Sequence, residues 1–393
     1  MKEINCDILV VGSGMTGLLT AYAISSFGYK IVIVDQKRME HKNIKTDSRT
    51  TAISEGSKVF FEKIGFWKKI SSYTEPIKKI KVIDRKPKNN INFFNYQDKR
   101  NLGYIVRNYN IISLLIKLLK KNKNITFYDN FKILRIDYTS EKVVGVFKNL
   151  NVSADILIAA DGKNSSVRNL LRVPLFKKIY SDSALVLTLN HLFAHNSTAY
   201  EIFYKTGPLA ILPMKSKKNK HSSSIVWSNN PLYLKSLFEE GGSLLKETLN
   251  EKISEFIGPV QKILTKQMFP LSSHINRKFY SKRVLFIGDS AHSIHPIAGQ
   301  GWNLGVKDIK NLYDLTNDHS SLGLSLGSNN FCKEYNENSY YNAFQLYQIT
   351  DKLNAIFKKN NLSSNGLRSI GFSFIEKNNN LKKIITNFAM GFS

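Results

Sequence analysis

The sequence predicts an α/β fold in which a parallel-sheet domain is interleaved with a mixed-sheet domain and is followed by C-terminal helices. Two glycine-rich blocks, residues 12–17 and 288–305, each follow a short apolar segment that is typical of a buried strand. Between them, from about 171 to 269, short stretches alternate apolar with polar residues, as antiparallel strands do. Because the two blocks lie far apart, the parallel sheet must be assembled from separate segments.

The first block has the order strand, tight turn and helix. Residues 8–11 form an apolar run, and residues 14–27 carry apolar side chains at helical spacing before Gly28 ends the helix. A second apolar strand follows at residues 30–34. This is the βαβ arrangement of a Rossmann-like domain.

The spacing of the glycines and of one acid predicts a dinucleotide site. Gly12 permits the turn, Gly14 lets a pyrophosphate approach the helix N-terminus, and Gly17 lets the helix pack closely on the strand. Asp35 ends the second strand, about 20 residues beyond the glycines, where a carboxylate accepts hydrogen bonds from ribose hydroxyls. The acid favours NAD or FAD over NADP at this site.

Composition limits the function classes. The 393 residues, 42% of them hydrophobic, suffice for two substantial cores. The net charge is +27, but the lysines are scattered among Asn and Ile, so we interpret the charge as compositional bias and predict no nucleic-acid partner. The only cysteines, Cys6 and Cys332, exclude a disulfide framework. With no room for a signal peptide and no apolar run of about 18 residues, a cytoplasmic location is expected.

Further elements complete the predicted domains. Helices are expected at about 57–70 and 111–119, strands within 125–147 are expected to return to the parallel sheet, and buried strands are expected at 154–160 and 283–287. We assign residues 1–70, 101–170 and 271–325 to the nucleotide-binding domain, 71–100 and 171–270 to the mixed-sheet substrate domain, and 326–393 to the C-terminal helical region.

Three motifs in a fixed order carry a family resemblance: Gly12-x-Gly14-x-x-Gly17, Asp161 to Arg168, and Gly288-Asp289 with Pro296 and Gly299-Gln300-Gly301. Together they resemble the fingerprints of single-component FAD-dependent aromatic hydroxylases, the class that includes para-hydroxybenzoate hydroxylase. The segments 47–54, 207–213 and 295–301 are similar to those of the ubiquinone-biosynthesis hydroxylases. The resemblance covers nearly the whole chain.

The resemblance implies a resident FAD and a transient NADH or NADPH. Enzymes of this class use O2 through a flavin C4a-hydroperoxide to hydroxylate an activated ring. The implied substrate is a polyprenylated phenol, a precursor of ubiquinone, and the implied partners are the inner-membrane surface or a quinone-biosynthesis complex. An apolar pattern at residues 381–390 beside adjacent lysines suits either a helix at a membrane interface or one packed on the core.

The candidate cofactor-binding residues combine these motifs with two arginines. By the resemblance, Asp289 binds the ribityl hydroxyls, and the helix that starts near Gly301 directs its dipole at the flavin. In the resembling enzymes an arginine in this segment lies against the FAD, which implies that role for Arg49, whereas Arg107 stands where these hydroxylases more often carry Glu-Asn or a glutamine. The full set is Gly12, Gly14, Gly17, Asp35, Arg49, Arg107, Asp161, Asp289, Pro296, Gly299, Gln300, Gly301 and Asn303.

Other site chemistry finds little support in the sequence. His292 and His295 are close in sequence, but no companion ligand completes a metal site, so none is predicted. The histidines give no basis for naming a catalytic base. The alternatives to a hydroxylase are another flavoprotein of the same fold, such as a prenyl-lipid reductase or an epoxidase, and a non-catalytic flavoprotein scaffold of a lipid-biosynthetic complex.

Overall fold

The computed structural model describes residues 2–38, 47, 49–84, 90–94, 100–217, 220–239, 242–358 and 371–391. Within these residues the strands form four sheets, two of which carry the main cores. The mixture of parallel and antiparallel sheets with helices confirms the predicted α/β fold class. The domain limits stay a prediction.

The helices match the expected apolar spacing in most places. The helix expected at 57–70 is divided in two, since Gly65 turns the chain with a φ of 70°. The helices are Met15–Ile24, Glu55–Lys63, Trp67–Ile70, Asn108–Leu119, Ser166–Leu170, Pro231–Glu239, Gly242–Ile257, Gly301–Ser321, Asn329–Lys358 and Asn379–Ala389, with a further helical segment at 371–377.

A six-stranded sheet lies at the centre of the first core. Its strands run in the order Tyr280–Ser281, Val284–Phe286, Ile156–Ala159, Ile8–Val11, Ile31–Asp35 and Ile125–Asp129. Its first two strands are antiparallel and the remaining pairs are parallel. The central strands are buried along their whole length, as strands covered on both faces must be, which confirms the predicted parallel sheet.

A four-stranded sheet corrects one expectation. Its order is Lys2–Asn5, Leu150–Ala154, Val143–Phe147 and Ile133–Tyr138. Of the strands expected within 125–147 to return to the parallel sheet, only 125–129 does so. Asn130 turns the chain with a φ of 64°, and the next two strands pair as an antiparallel hairpin instead.

The largest sheet has eight strands and holds the second core. Their order is His292–Ser293, Val260–Asn276, Leu175–His191, Lys220–Asn229, Gly207–Lys217, Thr198–Tyr204, Lys79–Asp84 and Asn90–Phe94. The pairing of 198–204 with 79–84 is parallel and the others are antiparallel, so the predicted mixed sheet is confirmed. One face packs on helices 231–239 and 242–257. The opposite face, here called the inner face, carries Ala184, Val186, Glu201, Ala210, Leu212 and Val226.

A three-stranded sheet and the C-terminal helices close the space beside the inner face. The small sheet has the order Thr50–Ser54, Gly103–Arg107 and Glu75–Ile77. An apolar cluster joins it to the inner face and to the last helices through Ile105, Met214, Phe372 and Met390. The backbone N–H of Gly56 donates to the carbonyl of Met390 at 2.8 Å, which fixes the end of the last helix against the nucleotide-binding region.

Candidate cofactor site and its relatives

The predicted site residues meet at one edge of the six-stranded sheet. Five of its strands are parallel, so their carboxyl ends lie together. At this carboxyl edge the chain continues into Gly12, Asp35, Asp161 and Gly288-Asp289. In open α/β sheets, ligands bind outside the carboxyl ends of the strands, so the topology alone places a ligand here.

The two glycine blocks touch each other. Thr16, in the first turn of helix 15–24, lies against Gly288, where an added methyl group would come within 2.9 Å of the threonine Oγ1. Gly305 packs on the same spot, since its own added methyl would lie 3.4 Å from the Gly288 Cα. Segments that are almost 300 residues apart in sequence therefore form one continuous surface.

The three glycines of the first block have distinct roles. Gly12 has a φ of 110°, and a Cβ there would overlap the Ala160 carbonyl, so glycine is needed for the turn and for the close approach of strand 156–159. A Cβ at Gly17 would overlap the carbonyl of Gly12, which confirms the close packing of helix on strand. Gly14 caps the helix and has no atom within 4 Å of such a Cβ. The space beside the helix N-terminus is therefore open.

Asp35 is tied to the first turn. Its Oδ2 accepts hydrogen bonds from the Ser13 backbone N–H at 2.6 Å and from the Ser13 hydroxyl at 2.8 Å. Its Oδ1 accepts from the Lys37 N–H at 2.8 Å. The carboxylate thus stands beside the glycine turn as predicted, and its binding of a ribose stays a prediction.

Asp161 carries a buried oxygen that protein does not satisfy. Its Oδ2 accepts from the backbone N–H of Val167 at 3.1 Å, whereas its Oδ1 is buried without a hydrogen-bond partner among the described residues. Burial raises the pKa of Asp161, and hydrogen bonds from Ser165 and the following backbone partly oppose this. A buried polar atom without a partner at a ligand edge indicates that a ligand or water completes the bond.

Arg168, the last residue of the second motif, has its partners inside the protein. The side chain is buried and its guanidinium donates to the carbonyls of Lys163 at 2.7 Å and Ser290 at 3.1 Å. It also contacts His274 Nε2 at 3.1 Å. The arginine therefore links the segment 161–171 to the second glycine block through the Ser290 carbonyl.

Asp289 is exposed, whereas every other residue of the run 284–292 is buried. Desolvation by the surrounding protein raises the pKa of its carboxyl, while the positive charges of His292, Lys163 and Arg49 act to lower it. Lys163 itself is held by the Ser272 carbonyl at 2.6 Å. A carboxylate exposed at a ligand edge and flanked by cations is suited to accept hydrogen bonds from ligand hydroxyls.

The two predicted arginines lie near each other, Arg49 just before strand 50–54 and Arg107 at the end of the neighbouring strand 103–107, and have different partners. Arg49 forms a two-point ion pair with Asp47, with both N–O distances 2.9 Å, and its guanidinium lies 5.6 Å from the centre of the Phe269 ring. Arg107 pairs in register with Thr50 and lines a cavity of about 270 Å³ together with Lys215. Burial lowers the pKa of Arg107. The Arg49 charge acts on the Asp289 carboxyl, so the two side chains lie near each other, and cofactor contacts for Arg49 and Arg107 stay predictions.

The second glycine block makes two short turns before its helix. Pro296 precedes the turn 297–299, and Gly299 needs glycine because its φ is 61°. Gln300 is the cap residue and Gly301 the first residue of helix 301–321. Asn303 Oδ1 accepts from the Ser54 N–H at 2.8 Å and the Ser57 hydroxyl at 2.9 Å, so its oxygen fixes the neighbouring helix.

A buried histidine–aspartate pair under this block was missed by the sequence analysis. Asp308 Oδ2 accepts from the Gly288 N–H at 2.9 Å and lies 2.6 Å from His292 Nε2. Burial opposes protonation of His292, but the Asp308 carboxylate outweighs it and raises the His292 pKa. The signal was available: Asp308 lies four residues from both Leu304 and Leu312 on the buried stripe of its helix.

His274 lies behind the same block and must be neutral. It is 3% exposed, and burial together with the Arg168 charge lowers its pKa to about 3. Because a guanidinium only donates, His274 Nε2 must accept the Arg168 hydrogen bond, which requires the neutral ring.

Acidification should therefore weaken the fold at His274. Between pH 6.5 and 3 the unfolded chain binds a proton at this histidine and the folded chain does not. The free energy of unfolding therefore decreases as the pH is lowered, by about 2 kcal/mol at pH 5. His292 acts in the opposite direction, since its raised pKa favours the folded state at low pH until the pH rises through that pKa. We expect His274→Gln to reduce the loss of unfolding free energy between pH 7.5 and 5 by about 2 kcal/mol, measured by urea denaturation. An unchanged pH difference would contradict the neutral assignment.

Among the residues that the structure describes, no cluster of three or more histidine, cysteine or acidic side chains is arranged to hold a metal ion. In the described part of the chain, no helix is long and apolar enough to cross a bilayer.

These observations fit FAD. The open helix N-terminus at Gly14 suits a pyrophosphate, and the acid beside that turn suits a ribose. The exposed Asp289 and the unsatisfied oxygen of Asp161 lie further along the same edge, where a longer cofactor would continue. Fold and site together define a flavin-dependent oxidoreductase class.

Comparison with known proteins supports this class. The sequence profile described as "FAD binding domain" matches residues 5–315. "Ubiquinone hydroxylase UbiL" of Rhodospirillum rubrum is 26% identical over 98% of this chain and 89% of its own length. "Ubiquinone hydroxylase UbiM" of Neisseria meningitidis is 24% identical over 99% of this chain and 85% of its own. The chain belongs to the FAD binding domain family and is an FAD-dependent monooxygenase.

A solved structure shows the same fold. The p-nitrophenol 4-monooxygenase PnpA from Pseudomonas putida superposes with a TM-score of 0.78 at 16% identity, covering 100% of this chain and 99% of that one. The expected resemblance to FAD-dependent aromatic hydroxylases is confirmed by the family match and the hydroxylase relatives, and this structure adds the fold.

Proposed function

We propose that this enzyme hydroxylates a polyprenylated phenol in ubiquinone biosynthesis, using O2 and NADH or NADPH. The proposal rests on the contacts between residues near the carboxyl edge of the six-stranded sheet and the inner face of the eight-stranded sheet. The Arg49 side chain lies over Phe269 of that face, and the Thr50 hydroxyl bonds Ser224 at 2.9 Å. The partly buried Ala210, Leu212 and Val226 of this face, with a few polar side chains such as Ser224, therefore stand opposite the place proposed for the flavin, as an aromatic lipid with a hydroxyl group requires.

The chain's own residues bind and position the reactants. When bound, FAD supplies the activation of O2. In the proposal Gly14 and the N-terminus of helix 15–24 hold the pyrophosphate, Asp35 a ribose, and Asp289 the ribityl hydroxyls. The apolar inner face keeps water away from the ring.

The reductant is proposed as a visitor. Among the described residues, one strand–glycine turn–helix unit with a terminal acid is present, and FAD is proposed to occupy it. NADH or NADPH would then bind transiently near the flavin and leave after hydride transfer.

The test combines product chemistry with a labelled co-substrate. FAD-loaded enzyme receives NADH or NADPH, 2-prenylphenol and isotopically labelled O2, and the product is analysed by mass spectrometry. We expect one labelled oxygen on the aromatic ring. Label on the prenyl chain would instead identify an epoxidase, two added hydrogens without label a reductase, and no NAD(P)H oxidation a scaffold.

The pathway is tested separately in the source organism. Deletion of the gene should cause a ubiquinone precursor to accumulate that lacks one ring hydroxyl. An unchanged quinone pool would reject the pathway and leave the flavin assignment in place.

We also propose peripheral contact with an anionic membrane through the C-terminal helices. Ile385 packs against the apolar cluster and Met390 is buried in it, as a packed helix requires, and Lys382 is buried beside Glu376. Yet Ile384 and Phe374 are 64% and 61% exposed. The segment therefore packs some of its apolar side chains on the core and exposes others to solvent.

Replacing the exposed pair should weaken membrane binding. The double change Phe374→Ser and Ile384→Ser removes apolar contact while retaining the Met390–Gly56 bond, which truncation would break. We expect at least about tenfold weaker sedimentation with phosphatidylglycerol vesicles. Binding equal to that of the wild type would show that the helices serve only packing.

A further inference from the structure

Glu201 is an acidic side chain on the inner face of the eight-stranded sheet. Glu201 lies in strand 198–204, paired with Ala210 on one side and Val82 on the other. Ala199 and Phe203 flank it on the same face of its own strand. Ile202, between Glu201 and Phe203, points to the opposite face and is buried under the outer helices. The carboxyl group is therefore surrounded by apolar side chains.

Glu201 has no partner within the described chain. It forms no hydrogen bond or ion pair with any described residue, although it is only partly exposed. Burial alone raises the pKa of Glu201 to about 7. A carboxyl group in such surroundings costs stability, which indicates a functional reason for its position.

Nearby charged groups do not neutralise it. Asp84, on the same face of the adjacent strand, pairs in register with Phe203 and adds negative charge. Lys81 lies on the opposite face, 5.8 Å from the centre of the Tyr200 ring. The helices packed over this face contribute Phe357 and Phe372, and their Glu376 pairs with Lys382.

The second glycine block reaches this part of the inner face. Ile297, in the turn that contains Gly299, shares a small cavity with Phe203, Pro208 and Phe357. Phe203 is the next residue on the same face as Glu201. Val82, Ala210 and Leu212 around the carboxyl are only partly buried, so space adjoins it.

From this arrangement we propose that Glu201 binds the ring hydroxyl of the phenolic substrate and so determines its orientation and the enzyme's preference for phenols. The inference rests on the proposed function. In an apolar pocket, one polar group that pairs with a substrate hydroxyl discriminates strongly against analogues without it. The ionised carboxylate accepts the phenol O–H as a charge-assisted hydrogen bond.

The test compares 2-prenylphenol with its methyl ether, which lacks the O–H. Each is titrated into FAD-loaded enzyme, and the dissociation constant is read from the perturbed flavin absorbance. Wild-type enzyme should prefer the phenol by about 10- to 100-fold, and Glu201→Leu should lose this preference. The matched control Glu247→Leu, on the exposed side of helix 242–257, should retain it.

The amide variant separates recognition from packing. In Glu201→Gln the amide oxygen still accepts a hydrogen bond, so a preference should remain, but it should not vary with pH. In the wild type the preference should increase from pH 6 to pH 8, as the carboxyl ionises with a pKa of about 7. A Leu variant with the full preference, or a Gln variant with the wild-type pH dependence, would overturn the inference. A wild type whose flavin responds to neither compound would instead reject the proposed phenol substrate.

Discussion

Asp289→Ala should be purified without its yellow cofactor. The proposed ribityl contact is a charge-assisted hydrogen bond, and losing it should weaken FAD binding by about 100-fold or more. Because the carboxyl is exposed and partly desolvated in the protein alone, its removal should leave the apoprotein at least as stable as the wild type. The measurements are the flavin-to-protein absorbance ratio after gel filtration and the thermal midpoint of the apoprotein.

The control for this variant lies on the same stretch of chain. Asp318→Ala removes an exposed carboxyl near the end of helix 301–321, far along the helix from the carboxyl edge, and should retain FAD. Stoichiometric flavin in Asp289→Ala would show that the ribityl contact is misplaced.

Two glycine variants should separate folding from cofactor binding. Gly17→Ala places a methyl group on the carbonyl of Gly12 and 3.3 Å from the Ala160 Cβ, so the helix must move away from its strand. We expect a loss of about 3 kcal/mol in unfolding free energy, measured in urea. Gly14→Ala meets no protein atom within 4 Å and should fold as well as the wild type.

Gly14→Ala should nevertheless fail to hold FAD. Its methyl group would occupy the open space at the helix N-terminus that a pyrophosphate needs. Fluorescence titration of the folded apoprotein with FAD measures this loss. Wild-type affinity in Gly14→Ala would place the pyrophosphate elsewhere.

The sequence alone was sufficient to locate the residues whose positions are set by local geometry. The glycine spacing and the position of Asp35 follow from the strand, turn and helix that contain them, so the first block could be located without tertiary information. Asp161 and Asp289 were found because each follows a buried strand. What the sequence left open was their ligands, which stay predictions.

Residues whose contacts come from distant segments of the sequence were harder to predict. The motif gave no indication that Arg168 is buried, because its partners His274 and Ser290 come from distant segments. Glu201 gave no signal, since an acid in an alternating strand usually faces water. Its surroundings are apolar because of its neighbours in the folded sheet and the C-terminal helices packed beside them.

The long helix Asn329–Lys358 is attached to the rest of the fold by specific side-chain hydrogen bonds. Asn336 Oδ1 accepts from the Phe279 N–H at 2.8 Å, and Asn311 donates to the Asn338 carbonyl at 2.9 Å. Asp351 accepts from Tyr180 at 3.0 Å and pairs with Lys178 on the large sheet. Neutral amides thus attach helix 329–358 to the nucleotide-binding region.

The strand order of the six-stranded sheet also dictates when the protein can become active during its synthesis. Strand 156–159 lies between 8–11 and 284–286, so one of its two neighbours is synthesised more than 100 residues after it. Pairings across such sequence distances form slowly and leave apolar strand edges exposed meanwhile. We therefore expect the carboxyl edge to be complete, and FAD to bind, only after residue 289 has left the ribosome.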